Sequence, residues 1–271
     1  TMSIRLITRA DDFGSCHAAD QAILAALEAG VLIRNVSCMA VGCTIQESAE
    51  ALSIFADQVD IGLHFVLNSE WDSVKWTPCS PRAQIRSLLN TQGEFFQTRE
   101  ELLAAAPEWS VIETELNAQL ETLLSLGLPI SYVDGHMAPD GLLPDLAERM
   151  RAWAQSHGLL YVRDHSRFPA CGMPAFAPSE AVYQANVEHW LSDMEQGQQY
   201  LYFMHPARMS DETILFCNAE FAPGVVAWER ELEARSAVSS LWASRLEQYD
   251  LELIRYRNAH PSPALPMGGY F

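Results

Sequence analysis

The sequence predicts an α/β fold, a single distorted (β/α) barrel of about seven parallel strands spanning residues 1–271, on three observations. Short apolar, β-branched runs alternate with longer segments of helical periodicity along almost the whole chain, as parallel strands joined by helical crossovers require. No composition break or flexible linker divides the chain, whose length one barrel can take up. Acidic and imidazole residues also gather where the strand candidates end. A doubly wound open sheet would satisfy the first two observations equally well.

Taken in order, residues 4–8 form the first strand candidate, and residues 18–29 have helical spacing that stops at Gly30, a natural residue just past a helix end. Residues 35–40 form the second strand, and Thr44 with Glu47 makes a capping box for a helix through about Phe55. Residues 59–65 are the third strand. Residues 67–97, with Trp71, Trp76, Pro78, Pro81 and Gly93, lack clean periodicity, and a loop of that length in a compact domain is usually functional. Thr98 with Glu101 and Ser110 with Glu113 look like further capping boxes, the second opening a helix that ends at Gly127. Strand 131–134, helix 143–157 closed by Gly158, strand 160–163, helix 179–195, strand 200–204, helix 225–248 and strand 251–256 complete the alternation. The Pro- and Gly-rich residues 260–271 are expected to form a surface tail.

The formal charge of -18, from 17 basic and 35 acidic residues, opposes binding to phosphate backbones and anionic lipid, so nucleic acid and membrane are not expected partners. There is no apolar run long enough to span a bilayer and no signal-peptide pattern at the N-terminus, which predicts a soluble, cytoplasmic chain. The six cysteines, Cys16, Cys38, Cys43, Cys79, Cys171 and Cys217, show no CxxC spacing and are expected as reduced thiols. Cys16, close to an acidic pair, is read as a small semi-buried filler. A homodimer is the expected assembly, since two-fold pairs are the commonest oligomers.

Asp11 and Asp12 follow the first strand, His64 ends the third, Asp134 and His136 end the fourth, and His205 ends the sixth. In a parallel barrel all these ends open on one face, the face that carries active sites. Each residue alone has a structural reading, a satisfied histidine or a helix-capping aspartate. Four such positions on one face favour chemistry. A carboxylate with two imidazoles suits zinc or another divalent ion, which can activate water near neutral pH.

These residues also carry a family resemblance. The segment Arg9-Ala10-Asp11-Asp12-Phe13-Gly14 resembles the opening signature of the YdjC/ChbG family of carbohydrate deacetylases. It continues, in order, through Ser37-Cys38-Met39, Gly62-Leu63-His64, Asp134-Gly135-His136 and His205-Pro206. The resemblance implies a distorted (β/α) barrel that removes acetyl groups from N-acetylated sugars such as chitooligosaccharides, with one divalent ion, magnesium or zinc. It implies Asp12, His64 and His136 as metal ligands, Asp11 as the base that activates water, and His205 as the acid that protonates the departing amine. A carboxylate on a metal loses basicity, whereas its free neighbour can accept a proton.

Around that core, Trp71 and Trp76 offer rings that suit a sugar face, or else form a hydrophobic cluster that closes the loop. Arg163 occupies a family substrate-contact position and could meet a carboxylate or phosphate, or form a surface ion pair. Asp134 could contact substrate or orient a ligand histidine. The sequence departs from the family pattern at Arg9, where the family usually has Asn, at Ala138, where a second histidine is common, and at Ala207, where Gly often follows His-Pro.

The metal set alone does not fix the reaction. Another metal-dependent sugar enzyme, an isomerase or phosphoester hydrolase, fits the same layout, as does a non-catalytic binding homologue. An intact Asp11 and His205 favour hydrolysis, since metal binding alone needs neither. GxSxG, GxxxxGK[ST], GxGxxG and HExxH are absent.

Overall fold

A computed structural model describes residues 2–262. The expected surface tail lies outside the described residues from 263 onward. Seven strands, β1 (Ile4–Phe13), β2 (Asn35–Cys38), β3 (Asp60–Phe65), β4 (Ile130–Gly135), β5 (Leu160–Tyr161), β6 (Gln199–Met204) and β7 (Leu251–Ile254), pair in parallel, six of them in the order β5-β4-β3-β2-β1-β6 and β7 off this path beside β1. Strands one to five therefore advance in one direction without the reversal that defines a doubly wound sheet. The sheet is a curled half-barrel.

β1 is its centre. Leu6 pairs with Tyr200 of β6 and with Leu253 of β7, so β6 and β7 lie on opposite edges. β7 takes the lower part of β1, Ile4 to Ile7, and β2 the upper part from Arg9. Between β5 and β6 the wall continues through irregular backbone, with Leu201 N–H donating to Arg167 at 2.8 Å and the Gln199 amide to His165 at 3.1 Å.

The crossover helices are α1 (His17–Ala29), α2 (Ile45–Ser53), α3 (Arg99–Ala105), α4 (Trp109–Ser125), α5 (Leu146–Ser156), α6 (Glu180–Ser192), α7 (Asp211–Ile214), α8 (Val225–Ala237) and α9 (Leu241–Gln248). Their buried faces form one large apolar cluster around the sheet. A smaller cluster, including Ile7, Tyr132, Leu201, Ile254 and Tyr256, fills the interior of the curl. Gly62 makes room for it: a Cβ there would lie 2.1 Å from the Tyr132 ring, so only glycine lets that ring cross β3.

Several expected boundaries shift. The first strand runs on to Phe13 rather than stopping at Thr8, so its span takes in both aspartates. Thr98 and Glu101 form their capping box, but Thr44 makes no side-chain cap, and α4 begins at Trp109 behind Glu108, placing Ser110 inside the first turn. The expected helix 225–248 is two helices, broken where the Ser239 hydroxyl accepts from Leu241 N–H and so competes with the helical backbone. The last strand stops at Ile254, and a 3-10 turn, Tyr256–Asn258, follows.

The long loop after β3 is tied down by side chains of α4. Gln119 accepts from Val66 N–H at 3.0 Å and donates to Val66 C=O at 2.9 Å. Buried Glu115 accepts from the backbone N–H of Cys79 and of Ser80, both at 2.9 Å. Such bonds replace the ladder a loop lacks, and they set residues 66–80 against the C-terminal end of the sheet. Among the described residues no helix is long and apolar enough to cross a membrane. All six cysteines are free, and burial lifts the Cys16 thiol to about 11, which leaves it an inert filler at the start of α1.

Candidate metal centre

A regular strand alternates its side chains, so Asp11 and Asp12 would leave β1 on opposite faces. The β1–β2 register shifts between Ala10 and Phe13, and Asp12 has φ of 65°. That left-handed conformation costs a non-glycine residue roughly 1–2 kcal/mol. The bulge brings both carboxylates round to His64. Gly14, at φ 93°, then turns the chain towards α1, its N–H held by Asp20 at 2.6 Å.

His64 closes β3, and His136 follows β4, where its N–H bonds Phe65 C=O at 2.8 Å. The contacts select the imidazole tautomers. His64 Nδ1 faces Asp134 Oδ2 at 2.9 Å and His136 Nε2 faces Glu70 Oε2 at 3.0 Å, so in the neutral rings those nitrogens carry the protons. The opposite nitrogens, His64 Nε2 and His136 Nδ1, then present lone pairs, 3.2 Å apart. Asp12 Oδ1 stands 3.3 Å from the first and 3.5 Å from the second. It is buried and receives no hydrogen bond.

Three electron pairs converging on one point in a buried site suit a cation between them, either a metal ion or protons on the imidazoles. The triangle has the right size: ligands bound at about 2.0–2.1 Å to a tetrahedral zinc-like ion stand about 3.3–3.4 Å apart. The donor set, one carboxylate oxygen and two imidazole nitrogens, suits such an ion, and Asp134 and Glu70 orient the rings as carboxylates commonly do behind ligating histidines.

The electrostatics agree. Burial alone would drive the histidines neutral, yet Asp134 and Asp12 carry His64 up to about 10, and Glu70 and Asp12 carry His136 up to about 9. Without a metal the cluster thus holds protons as its cations. Burial would raise Asp12, but Arg230, 2.8 Å from Asp12 Oδ2, and the two histidines hold it well below the ordinary carboxylate range.

A second group, Asp11, His64 and Asp134, lies equally close, but it already contains a cation. Arg9 grips Asp11 through Nε (2.5 Å) and Nη2 (2.7 Å), and Nη2 is 3.0 Å from Asp134 Oδ2. His205 follows β6 with Nε2 4.0 Å from Asp11 Oδ2, and its backbone N–H bonds Glu233 at 2.6 Å. Enclosure, with Arg230 and His64 adding to it, pushes His205 down to about 4 against the pull of Asp12 and Asp11. Its side chain is nonetheless 30% exposed, against 3% for Asp12, so it meets whatever enters the cavity.

That cavity, about 1200 Å³, opens over the strand ends, and Asp11, His64, Asp134, His136, His205 and Trp71 are in its wall. Asp12 lies behind them. Arg163 is also in the wall, its Nη1 3.6 Å from Asp140 and otherwise without a hydrogen bond. Trp71 is buried flat against Phe216, ring centroids 5.5 Å apart. Trp76 is not brought to the wall: it is buried behind the metal centre, where its ring N–H donates to Glu70 at 3.1 Å. Ala138, in the cavity wall, adopts a left-handed turn directly after His136 and Met137.

Sequence reasoning missed Glu70, Arg230 and Tyr256. Glu70 is one acid in an aperiodic loop, and Arg230, between Glu229 and Glu231, has the pattern of a solvated helix face. Only the fold brings them to the metal centre and its surroundings.

A family model described as YdjC-like protein matches residues 5–240. The carbohydrate deacetylase of Geobacillus stearothermophilus is 35% identical over 130 residues, 48% of this chain and 48% of that protein. The carbohydrate deacetylase of Homo sapiens is 29% identical over 165 residues, 59% of this chain and 48% of that protein. The carbohydrate deacetylase of Vibrio vulnificus (strain CMCP6) is 23% identical over 268 residues, 93% of this chain and 95% of that protein. The chain thus spans about half the length of the first two relatives and nearly all of the third. Among solved structures, a protein from Enterococcus faecalis V583, described as a candidate cellobiose-phosphate cleavage protein, superposes with a TM-score of 0.73 at 20% identity, covering 94% of this chain and 98% of that one. That likeness concerns the fold.

Proposed function

The chain belongs to the YdjC-like protein family, and on that premise we propose that it is a metal-dependent hydrolase removing the N-acetyl group from a small sugar or oligosaccharide of the chitooligosaccharide kind. The observation that carries the reading is the convergence of Asp12 Oδ1, His64 Nε2 and His136 Nδ1 beside Asp11 and His205 in one cavity. Asp12, His64 and His136 would hold a divalent ion, zinc or magnesium. When bound, such an ion polarises an amide carbonyl and makes water a nucleophile near neutral pH.

The chain's own groups supply the rest. Asp134 and Glu70 fix the two imidazoles so that their lone pairs point inward. Asp11 accepts the proton of the attacking water, and His205 gives a proton to the departing amine nitrogen, which leaves poorly without one. Enclosure, which pushes His205 down to about 4, leaves it neutral near pH 7, so the acid role requires that it take up a proton in the substrate complex before giving one to the amine. Trp71 and Arg163, in the cavity wall, contact the sugar. The resemblance to proteins named carbohydrate deacetylase supports the substrate class.

Acetate release from N-acetylated mono- and oligosaccharides, with and without chelator, tests the reading on the wild type, Asp11→Asn and His64→Ala. Release that depends on metal and collapses in both variants is expected. Activity that persists in chelator and in both variants would overturn it, and turnover of only a phosphoester or an aldose would replace it with another metal-dependent sugar reaction.

A further inference from the structure

Arg9 is a cation in the cavity wall beside the proposed metal centre, 6% exposed, and each polar edge of its guanidinium is committed. It leaves β1 on the same side as Asp11, two residues on. Its Nε and Nη2 take both oxygens of Asp11, at 2.5 and 2.7 Å. Nη2 is also 3.0 Å from Asp134 Oδ2, and Nη1 donates to the Tyr256 hydroxyl at 3.0 Å. Asp134 Oδ2 in turn accepts from His64 Nδ1 at 2.9 Å. One rigid planar group therefore joins Asp11 to the carboxylate that orients His64.

We propose that Arg9 is a positioning residue that locks Asp11 and Asp134 into one unit, so that the proton acceptor and the metal ligand His64 keep a fixed relation. The assignment rests on the reading of Asp11 as base and His64 as ligand. Two features give it physical force. A forked contact to both oxygens stops the Asp11 carboxylate from rotating about its own axis, which a single-point ammonium would not do. Asp11 and Asp134 come close together in a buried setting, and a shared guanidinium bridges the two carboxylates. Tyr256, from the turn after β7, fixes the remaining end of the fork, and the Phe203 ring lies 5.7 Å from its carbon. The fork is thus clamped by β1, β4, β6 and the chain's last described turn.

The test pairs metal binding with turnover. Zinc affinity of the metal-free protein is measured by calorimetry for the wild type, Arg9→Ala and Arg9→Lys. Arg9→Ala is expected to bind zinc about 10-fold more weakly, because His64 loses a fixed partner. Its kcat for acetate release should fall about 100-fold with KM little changed, the signature of a displaced reacting group. Added guanidinium should recover part of both losses in Arg9→Ala. Arg9→Lys, which keeps the charge and loses the fork, should remain well below the wild type in kcat. Wild-type zinc affinity and kcat in a folded Arg9→Ala would overturn the proposal, as would full activity in Arg9→Lys or losses that guanidinium leaves untouched. If the wild type releases no acetate from any sugar, the hydrolase reading fails, while zinc affinity still judges the link from Arg9 through Asp134 to His64.

Discussion

Glu70 Oε2 lies 3.0 Å from His136 Nε2 and fixes which nitrogen of that ring faces the metal centre. Glutamine at position 70 could offer its amide N–H instead and flip the tautomer. Glu70→Gln should therefore weaken zinc binding by about 10–100-fold, read by calorimetry on metal-free protein. Unchanged affinity would mean that His136 is oriented by something else.

The Trp76 indole N–H bonds the same Glu70 oxygen at 3.1 Å, which anchors the loop to the candidate metal centre. Trp76→Phe keeps most of the packing and removes the donor. A stability loss of about 1 kcal/mol is expected, with KM for the sugar unchanged. A rise in KM at constant stability would make Trp76 a sugar platform after all.

His205 pairs with Asp11, 4.0 Å away, and lies outside the Asp12, His64 and His136 group. His205→Gln should lower kcat by about 10²–10⁴-fold and leave zinc affinity as it was. A fall in zinc affinity of the same size would place His205 among the metal ligands.

The metal-free protein should lose stability as pH rises from about 6.5 to 10. The folded pKa values of His64, about 10, and His136, about 9, lie above the ordinary 6.5. Their contribution is thus complete below 6.5 and disappears as pH passes through the folded values. Glu233, lifted to about 8 by burial and Glu229, acts in the same direction up to that pH. A metal held by Asp12, His64 and His136, as proposed, would replace those protons, so the gain in melting temperature on adding zinc should widen from pH 7 to pH 9. A gain that shrinks over that range would contradict the protonated cluster.

Gly62→Ala puts a methyl group 2.1 Å from the Tyr132 ring in the interior of the curl. Overpacking of this kind should cost about 3 kcal/mol, measured by denaturant unfolding. A loss below 1 kcal/mol would show that the ring can swing aside.

The sequence made the scaffold legible because parallel strands joined by helices write two clear periods into the chain. Asp11, Asp12, His64, His136 and His205 stood out because strand ends are where a barrel converges, and the structure brings all five to one cavity or its floor. What escaped was what depends on the third dimension. Trp76 looked available to a sugar because a loop residue is expected outside, yet Gln119 and Glu115 of α4 pull the loop inward. Arg230 is the reverse case, a helical cation flanked by acids whose side chain turns in to Asp12. Arg9 could be recognised as a departure in the motif, but only the bulge at Asp12 explains how one strand can present a guanidinium and two carboxylates to a single site.

β1 carries three of the site's charged groups and is paired along both edges, to β6 on one side and to β2 and β7 on the other. Its amides should be among the slowest in the molecule to exchange with deuterium, opening only when the whole chain does. Asp11 and Asp12 follow directly on that paired segment, which anchors the bulge that carries them. An ion held there, as proposed, could be stripped and returned many times and would meet the same strand end each time.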